Sequence, residues 1–423
     1  MTMSDIEQQV DHLIDTRPGK ELLQPNYEDV AYEVAPNIYR SNGATAVYMI
    51  VHDAGRIIVN TGMGYEAVHH KAVFDAICPG PTTHILTTQA HVDHVGGVGL
   101  FREPETIYIA QANNPACQED DARIANLRFQ TAQVWFDVSG AAAQRIAQKN
   151  PGVPMRQDKP VPDVLVEDRY EFVVGNLQVQ LIAATGETID SMIVFLPQSK
   201  TALISNLLGP LFPHFPNLNT LRGDRYRFVE PYLATVKKLR ALQLQMIIPG
   251  RHLPIEGTEL IDACLARLHG AVEYVHRKTL EGMNAGVDIY TLMNEINLPA
   301  DLRVGQGYGK VAWGVRTIWE TYMWWFHLQS STELYAVAPV EAMSELVRVA
   351  GVEAACERAA TLVASGQPVL AIYMAEAILQ VEPDHAGAAK VMVVAHEALL
   401  AQGGDVSFWE SGWLRSQAAK WRQ

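Results

Sequence analysis

The chain predicts a layered α/β domain followed by an all-α domain, and three observations carry that reading. From about residue 30 to 255, short β-branched runs alternate with turns and helical stretches. From about 256 onward the strand-like runs stop and the segments have helical periodicity. A length of 423 residues with 48% hydrophobic and 19% charged residues leaves room for two or three domains with full cores.

The elements follow in order. Residues 1–29 form an N-terminal extension. Its opening, "MTMSDIEQQVDHLIDTRPGK", is polar and acid-rich and lacks the basic-then-apolar layout of a secretory signal. Residues 30–260 form the α/β domain. Its strands are "AVYMIVH", "GRIIVNTG", "HILTT", "ETIYIA", "LQVQLIAATG", "SMIVFLP", "KTALIS" and "QMIIPG". Asp53-Ala54-Gly55 and Gln198-Ser199-Lys200 read as hairpin turns between them. Helical patterns fall in between: "GYEAVHHKAVFDAI", "DDARIANLRFQTAQVWFDV" and "EPYLATVKKLRAL". His69 and His70 are expected on the solvent side of the first. Sheet at the centre with helices around it is the layered arrangement such alternation builds.

Residues 261–423 form the helical domain. Ala371, Ala375, Ala377 and Ala388, with Tyr373 and Pro383, resemble one tetratricopeptide-like helix pair. A single copy predicts helix packing rather than an array, because stacked repeats need about three units. "WETYMWWFHL" is apolar nearly all round, which predicts a helix buried between domains or in a subunit interface.

Composition excludes several classes. The net charge is −14 and no basic run occurs, so a nucleic-acid partner is not expected. The longest apolar runs are far too short to span a bilayer. Cys78, Cys117, Cys264 and Cys356 lie far apart with no CxxC pair, which points to free thiols in a reducing, cytoplasmic setting.

The chemistry concentrates in "QAHVDHVGG", residues 89–97. His91 and Asp93 are two apart and His94 adjoins, on a loop leaving a strand. Imidazole and carboxylate in that spacing are what Zn²⁺ or a similar cation takes in a hydrolytic site. Gly96 and Gly97 are expected to let the chain turn tightly into a helix.

This segment resembles the HxHxDH motif of the metallo-β-lactamase fold, with Gln89 where the first histidine stands. "GRIIVNTGMG" resembles the strand and turn before it, with Asn60 at a usual aspartate. "ATGETIDSMIVFLP", "FPNLNTLRG" and "IIPGRHLPIEG" are similar to segments of the alkylsulfatase-like branch, and the helical half is similar to the dimerisation domain of alkylsulfatases. The resemblance implies an αββα sandwich followed by an all-α dimerisation domain, and a homodimer.

It also implies the site residues. A first metal position falls on Gln89, His91 and Glu187. A second falls on Asp93, His94 and the last ligand segment, where Arg251 stands at the aligned position and His252 one residue later. The bridging carboxylate position falls at Asn206 or Gly209. One zinc per chain, held by Asp93, His94 and His252, is expected over two, with Gln89 at most a weak ligand. Asp93 is the expected catalytic residue, both ligand and orienter of a metal-bound water. Asn217 and Arg222 are expected to bind the substrate, with Asn206, Arg251 and His214 beside them. The expected function is hydrolysis of a small ester-like molecule (sulfate ester, lactone, carboxylic ester or amide) carrying an anionic or polar group. Two rivals stand beside it: a metal-depleted binding protein on the same scaffold, and a metal-assisted lyase or isomerase.

Overall fold

The computed structural model describes residues 3–219, 221–225 and 227–422. Two sheets face each other. The first runs β1 (Tyr32–Ala35), β2 (Ile38–Ser41), β3 (Val47–His52), β4 (Gly55–Val59), β5 (Thr82–Leu86), β6 (Ile107–Gln111) and β7 (Val164–Val166), paired in that order. The second contains β8 (Arg169–Val174), β9 (Leu177–Ala183), β10 (Met192–Leu196), β11 (Thr201–Ser205), β12 (Met246–Pro249) and β13 (Ile255–Glu256), in the reverse spatial order β13 to β8.

The strand sequences explain the layers. Side chains alternate between the two faces of a strand. In β3 and β4, Tyr48, Ile50, Ile57 and Val59 meet Leu181, Val194, Leu203 and Ile248 of the other sheet. The opposite-parity residues Val47, Met49 and Ile58 pack outward on Val73, Phe74, Val98 and Phe101 of the covering helices. A strand covered on both faces needs no polar alternation, and β4 is buried at all five positions. On the second sheet, the helix Thr258–Asn284 lies against β12 and β13 and packs on the helix Val229–Ala241. The architecture is the expected αββα sandwich.

Contacts divide the chain at 321/322, into Met1–Thr321 and Tyr322–Gln423, later than the 260/261 division read from the sequence. Helix Thr258–Asn284 shows why. It buries Ile261, Leu265, Leu268 and Val272 and takes ion pairs from the helix Met3–Thr16, where Arg267 meets Glu7 and Asp11. The N-terminal extension is thus tied into the first unit.

The second unit is helical. Ala355, Ala359, Ala371, Ala375, Ala388 and Ala395 form its core with Ile378 and Met392. Small side chains let the helices Pro368–Val381 and Ala386–Gln402 approach closely, the packing role expected of those alanines. In "WETYMWWFHL" the two halves differ: Trp319 and Glu320 are buried within the chain, and the aromatic residues after them are open to a partner. Its helix ends at Met323, and Trp324, Trp325 and Leu328 beyond it are 64%, 66% and 69% exposed.

Candidate active site

The motif loops gather where strands end. Thr88 and Gln89 follow β5, and the short helix Val92–Val95 carries Asp93 and His94. Glu187 lies between β9 and β10, Asn206 follows β11, and Arg251 and His252 follow β12. The glycine pair works differently from the sequence expectation. Gly96 has φ −64° and Gly97 φ −113°, both open to any residue. What requires glycine is proximity: a Cβ on Gly97 would lie 2.3 Å from Ala67 Cβ and 2.8 Å from Thr61 O.

Gln89, His91 and Glu187 do come together. Gln89 Nε2 lies 2.8 Å from His91 Nδ1 and 2.9 Å from Glu187 Oε2. Tyr308 Oη donates to Glu187 Oε1 at 2.8 Å. His91 Nε2 faces Asp224 Oδ2 at 3.3 Å. A carboxylate only accepts, so Nε2 carries the proton and Nδ1 presents its lone pair inward. This is the arrangement in which an outer carboxylate orients a ligand histidine.

Charge around these groups is dense. Arg128 lies 3.0 Å from Asp224 and also pairs with Asp121, while Arg227 stands 3.7 Å from Glu187 and 3.8 Å from Asp224. Burial pushes the Glu187 carboxyl up, but Arg227, His91 and the hydrogen bonds from Gln89 and Tyr308 outweigh it and hold it below its usual range. Asp224 is held far lower, because His91, Arg227 and Arg128 overcome its burial. Asp93 is lowered in the same way: burial opposes, and His94, His91, Arg251 and Arg222 prevail.

The second position is assembled otherwise. His94 Nε2 is 3.8 Å from Asp93 Oδ2. Asn206 Nδ2 lies 3.3 Å from His94 Nε2 and Thr88 Oγ1 3.3 Å from His94 Nδ1, so both ring nitrogens have partners. Burial pulls His94 down to about 4, which keeps it neutral at pH 7. His252 does not join the pair. Its Nε2 faces Pro18 O at 2.6 Å and its Nδ1 faces Phe212 O at 3.0 Å. The segment after the first helix straps this loop, with Arg17 donating to Leu253 O at 2.7 Å. Arg251 is buried, its guanidinium donating to Leu22 O and Gly43 O, and its charge acts on Asp93.

The remaining candidates divide. Arg222 is half-buried with its Nε lacking a partner. Asn217 is 2% exposed, and both its side-chain oxygen and nitrogen lack partners. It lines a small pocket of about 210 Å³, counting space open to solvent, together with Glu187, Arg227 and Tyr232. His214 is not brought to this group; its Nδ1 accepts from Gly307 N at 3.0 Å. His69 and His70, expected at the surface, are 8% and 0% exposed, and His70 Nδ1 contacts Ser41 Oγ at 2.8 Å. The His70 ring packs against Gly43, between β2 and β3, and against Gly62, after β4, so this side of the helix faces inward.

Sequence reasoning missed Asp224, Arg128 and Tyr308, and it noted Arg227 only as one of the dense arginines 222, 225 and 227. The arginine density of "TLRGDRYR" was a signal for Asp224 and Arg227. Arg128 and Tyr308 come from remote segments and left no local signal.

Among the described residues, no three His, Cys, Asp or Glu side chains gather tightly enough to hold a metal. The first position nevertheless fits one cation. An imidazole lone pair and a carboxylate oxygen, 3.8 Å apart, converge on the same space, and Gln89 adds an amide oxygen once its amide turns. The second position does not fit. Asn206 engages His94, His252 is turned away, and Arg251 already supplies positive charge beside Asp93.

Comparison with known proteins bears on the family and the fold. The metallo-beta-lactamase superfamily profile matches residues 40–251, and the alkyl sulfatase dimerisation profile matches residues 290–419. A linear primary-alkylsulfatase from Pseudomonas sp. is 25% identical over 321 residues, 72% of this chain and 60% of its own length. Another is 20% identical over 293 residues, 64% of this chain and 43% of its own. The chain thus spans three fifths or less of the length of these relatives. The solved structure of the stereoselective inverting sec-alkylsulfatase Pisa1 from Pseudomonas sp. superposes with a TM-score of 0.80 at 19% identity, covering 93% of this chain and 66% of that one. At that identity the likeness is one of fold. With strand order, loop placement and profile in agreement, the chain belongs to the metallo-beta-lactamase superfamily.

Proposed function

We propose that this chain hydrolyses sulfate esters of the alkyl type with one divalent cation, zinc by its donor chemistry, at the His91–Glu187 position. The observation that carries the reading is the convergence of His91 Nδ1 and Glu187 Oε2, with Asp224 behind the imidazole and arginines around it. This moves the single cation from the Asp93–His94–His252 set expected from sequence to the neighbouring position. A cation there supplies a Lewis acid for a bound water or a substrate oxygen. The chain's own groups do the rest. Asp224 fixes the imidazole tautomer. Tyr308 and Arg227 hold Glu187 ionised. Arg222 offers a planar donor set suited to a sulfate group. Asn217, with both polar atoms free, offers the pocket a donor and an acceptor for the polar end of the substrate. Asp93 remains the candidate orienter of the attacking water. The relatives named above are alkylsulfatases, which supports a sulfate ester over a lactone or amide. The dimerisation match supports a homodimer, and four free cysteines support a reducing, cytoplasmic setting.

One observation favours a second reading, a metal-free binding protein: the Gln89 amide already stands between the two donors. The test is elemental analysis of protein never exposed to chelator, with release of inorganic sulfate from a linear alkyl sulfate. Sulfate release that His91→Ala and Glu187→Gln abolish supports hydrolysis. Calorimetric binding of the alkyl sulfate with no release at any added divalent metal supports the binding protein.

A further inference from the structure

Gln89 is 1% exposed, and its side chain is unevenly used. Its Nε2 meets His91 Nδ1 at 2.8 Å and Glu187 Oε2 at 2.9 Å, while Oε1 has no hydrogen-bond partner although it is buried. The orientation is dictated by its neighbours. Glu187 can only accept. His91 donates its Nε2–H to Asp224, so its Nδ1 also accepts. Both amide hydrogens are therefore used, and the nitrogen sits in the space on which the two donors converge.

We infer that Gln89 is a latch on the first metal position: its amide nitrogen holds the position closed in the resting chain, and a cation enters only when the amide turns over. A half-turn about the last side-chain bond exchanges nitrogen and oxygen. Without a cation, that turn sets an acceptor against two acceptors. With a cation in place, the same oxygen becomes a third ligand. Entry breaks two hydrogen bonds, and a neutral histidine, with a single N–H, could form at most one of them. The inference rests on the reading of His91 and Glu187 as a cation position. It adds that the fold does not depend on the metal, and that one residue sets the affinity. Two hydrogen bonds to strong acceptors weaken binding by about tenfold or more relative to an imidazole ligand.

The experiment is zinc titration by calorimetry, with thermal unfolding of the full chain as wild type, Gln89→His and Gln89→Met. The latch predicts that wild type without bound zinc folds fully, with a cooperative melting transition in chelator. It predicts at least tenfold tighter zinc binding by Gln89→His. Gln89→Met keeps the length and removes both hydrogen-bond donors together with the oxygen, so it melts below wild type without metal. Wild-type zinc affinity equal to that of Gln89→His overturns the latch, as does a Gln89→Met chain that melts like wild type without metal. Absence of zinc binding in all three chains overturns the latch and the cation position together. Tight zinc in Gln89→His without sulfate release overturns the hydrolase reading alone.

Discussion

Asn60 stands at φ +61° just after β4, and both ends of its carboxamide are engaged. Oδ1 accepts from Thr88 N at 2.9 Å and Thr88 Oγ1 at 3.0 Å, and Nδ2 donates to Ser205 Oγ at 3.2 Å. It therefore ties the end of β5 to the end of β11 across the sandwich, at the residues that precede Gln89 and Asn206. An asparagine tolerates the left-handed region better than most residues. Asn60→Ala is expected to lower stability by about 2–4 kcal/mol, from the lost hydrogen bonds and the strained backbone, read by urea unfolding. Gly97 makes the complementary point about space. Gly97→Ala drives a methyl into Ala67 and Thr61 O, and its expected cost is about 1–3 kcal/mol by the same measurement. A variant as stable as wild type would show that the loop yields freely. Tyr308→Phe leaves the ring and removes one donor from Glu187, for about 1–2 kcal/mol.

At the scale of elements, β4 is anchored to the helix Ala67–Asp75 through a buried cation. Arg56 is 0% exposed and donates to Asp75 Oδ1 at 2.7 Å, to Cys78 O at 2.6 Å and to Thr82 Oγ1 at 3.0 Å. Removing its counter-charge leaves the guanidinium buried without a neutralising partner. Asp75→Asn is expected to lower stability by about 2–4 kcal/mol, discounted because the carboxylate is partly solvated. The sign with pH follows from the Asp75 carboxyl. Burial raises it, but Lys71 and Arg56 prevail and set it below its ordinary value in the folded chain. The contribution is full above the unfolded pKa and fades as pH falls through the folded one. The stability gap between wild type and Asp75→Asn should therefore close from about pH 4 downward. A gap that persisted at pH 2 would mean that the pair is not its source. The sequence showed "GRIIVNTG" as a strand but gave no reason for an arginine in it. The reason is a helix that starts eleven residues later.

At the scale of the whole molecule, the second unit carries a set of exposed apolar side chains: Trp324, Trp325, Leu334, Tyr335, Leu346 and Val349 are each more than half exposed. They fall inside the segment matched by the dimerisation profile. Two chains joined there are expected, so light scattering at micromolar concentration should return twice the 46.7 kDa of one chain. A single-chain mass would leave this surface unexplained by dimerisation.

Periodicity alone determined the order of sheet and helix, because side-chain burial repeats every two residues in a strand and every 3.6 in a helix. The spacing of His91, Asp93 and His94 marked the site loop, because ligands on one short segment must lie close in space. The alanine-rich pair Pro368–Val381 and Ala386–Gln402 was legible for the same local reason. What the sequence could not determine is which distant groups meet these residues. Asp224 behind His91, Tyr308 on Glu187, Arg251 beside Asp93 and the Pro18 carbonyl on His252 are separated in the chain by between 100 and 250 residues, and no local pattern encodes such pairings. The contact division at 321/322 has a like cause: helix Thr258–Asn284 looks the same in sequence whether it packs on the sheet or beyond it. The opening of "QAHVDHVGG" shows the division most clearly. Sequence places a glutamine where a histidine is usual. Only the tertiary structure turns its amide nitrogen, rather than its oxygen, toward His91 and Glu187, because two remote carboxylates decide where the protons lie.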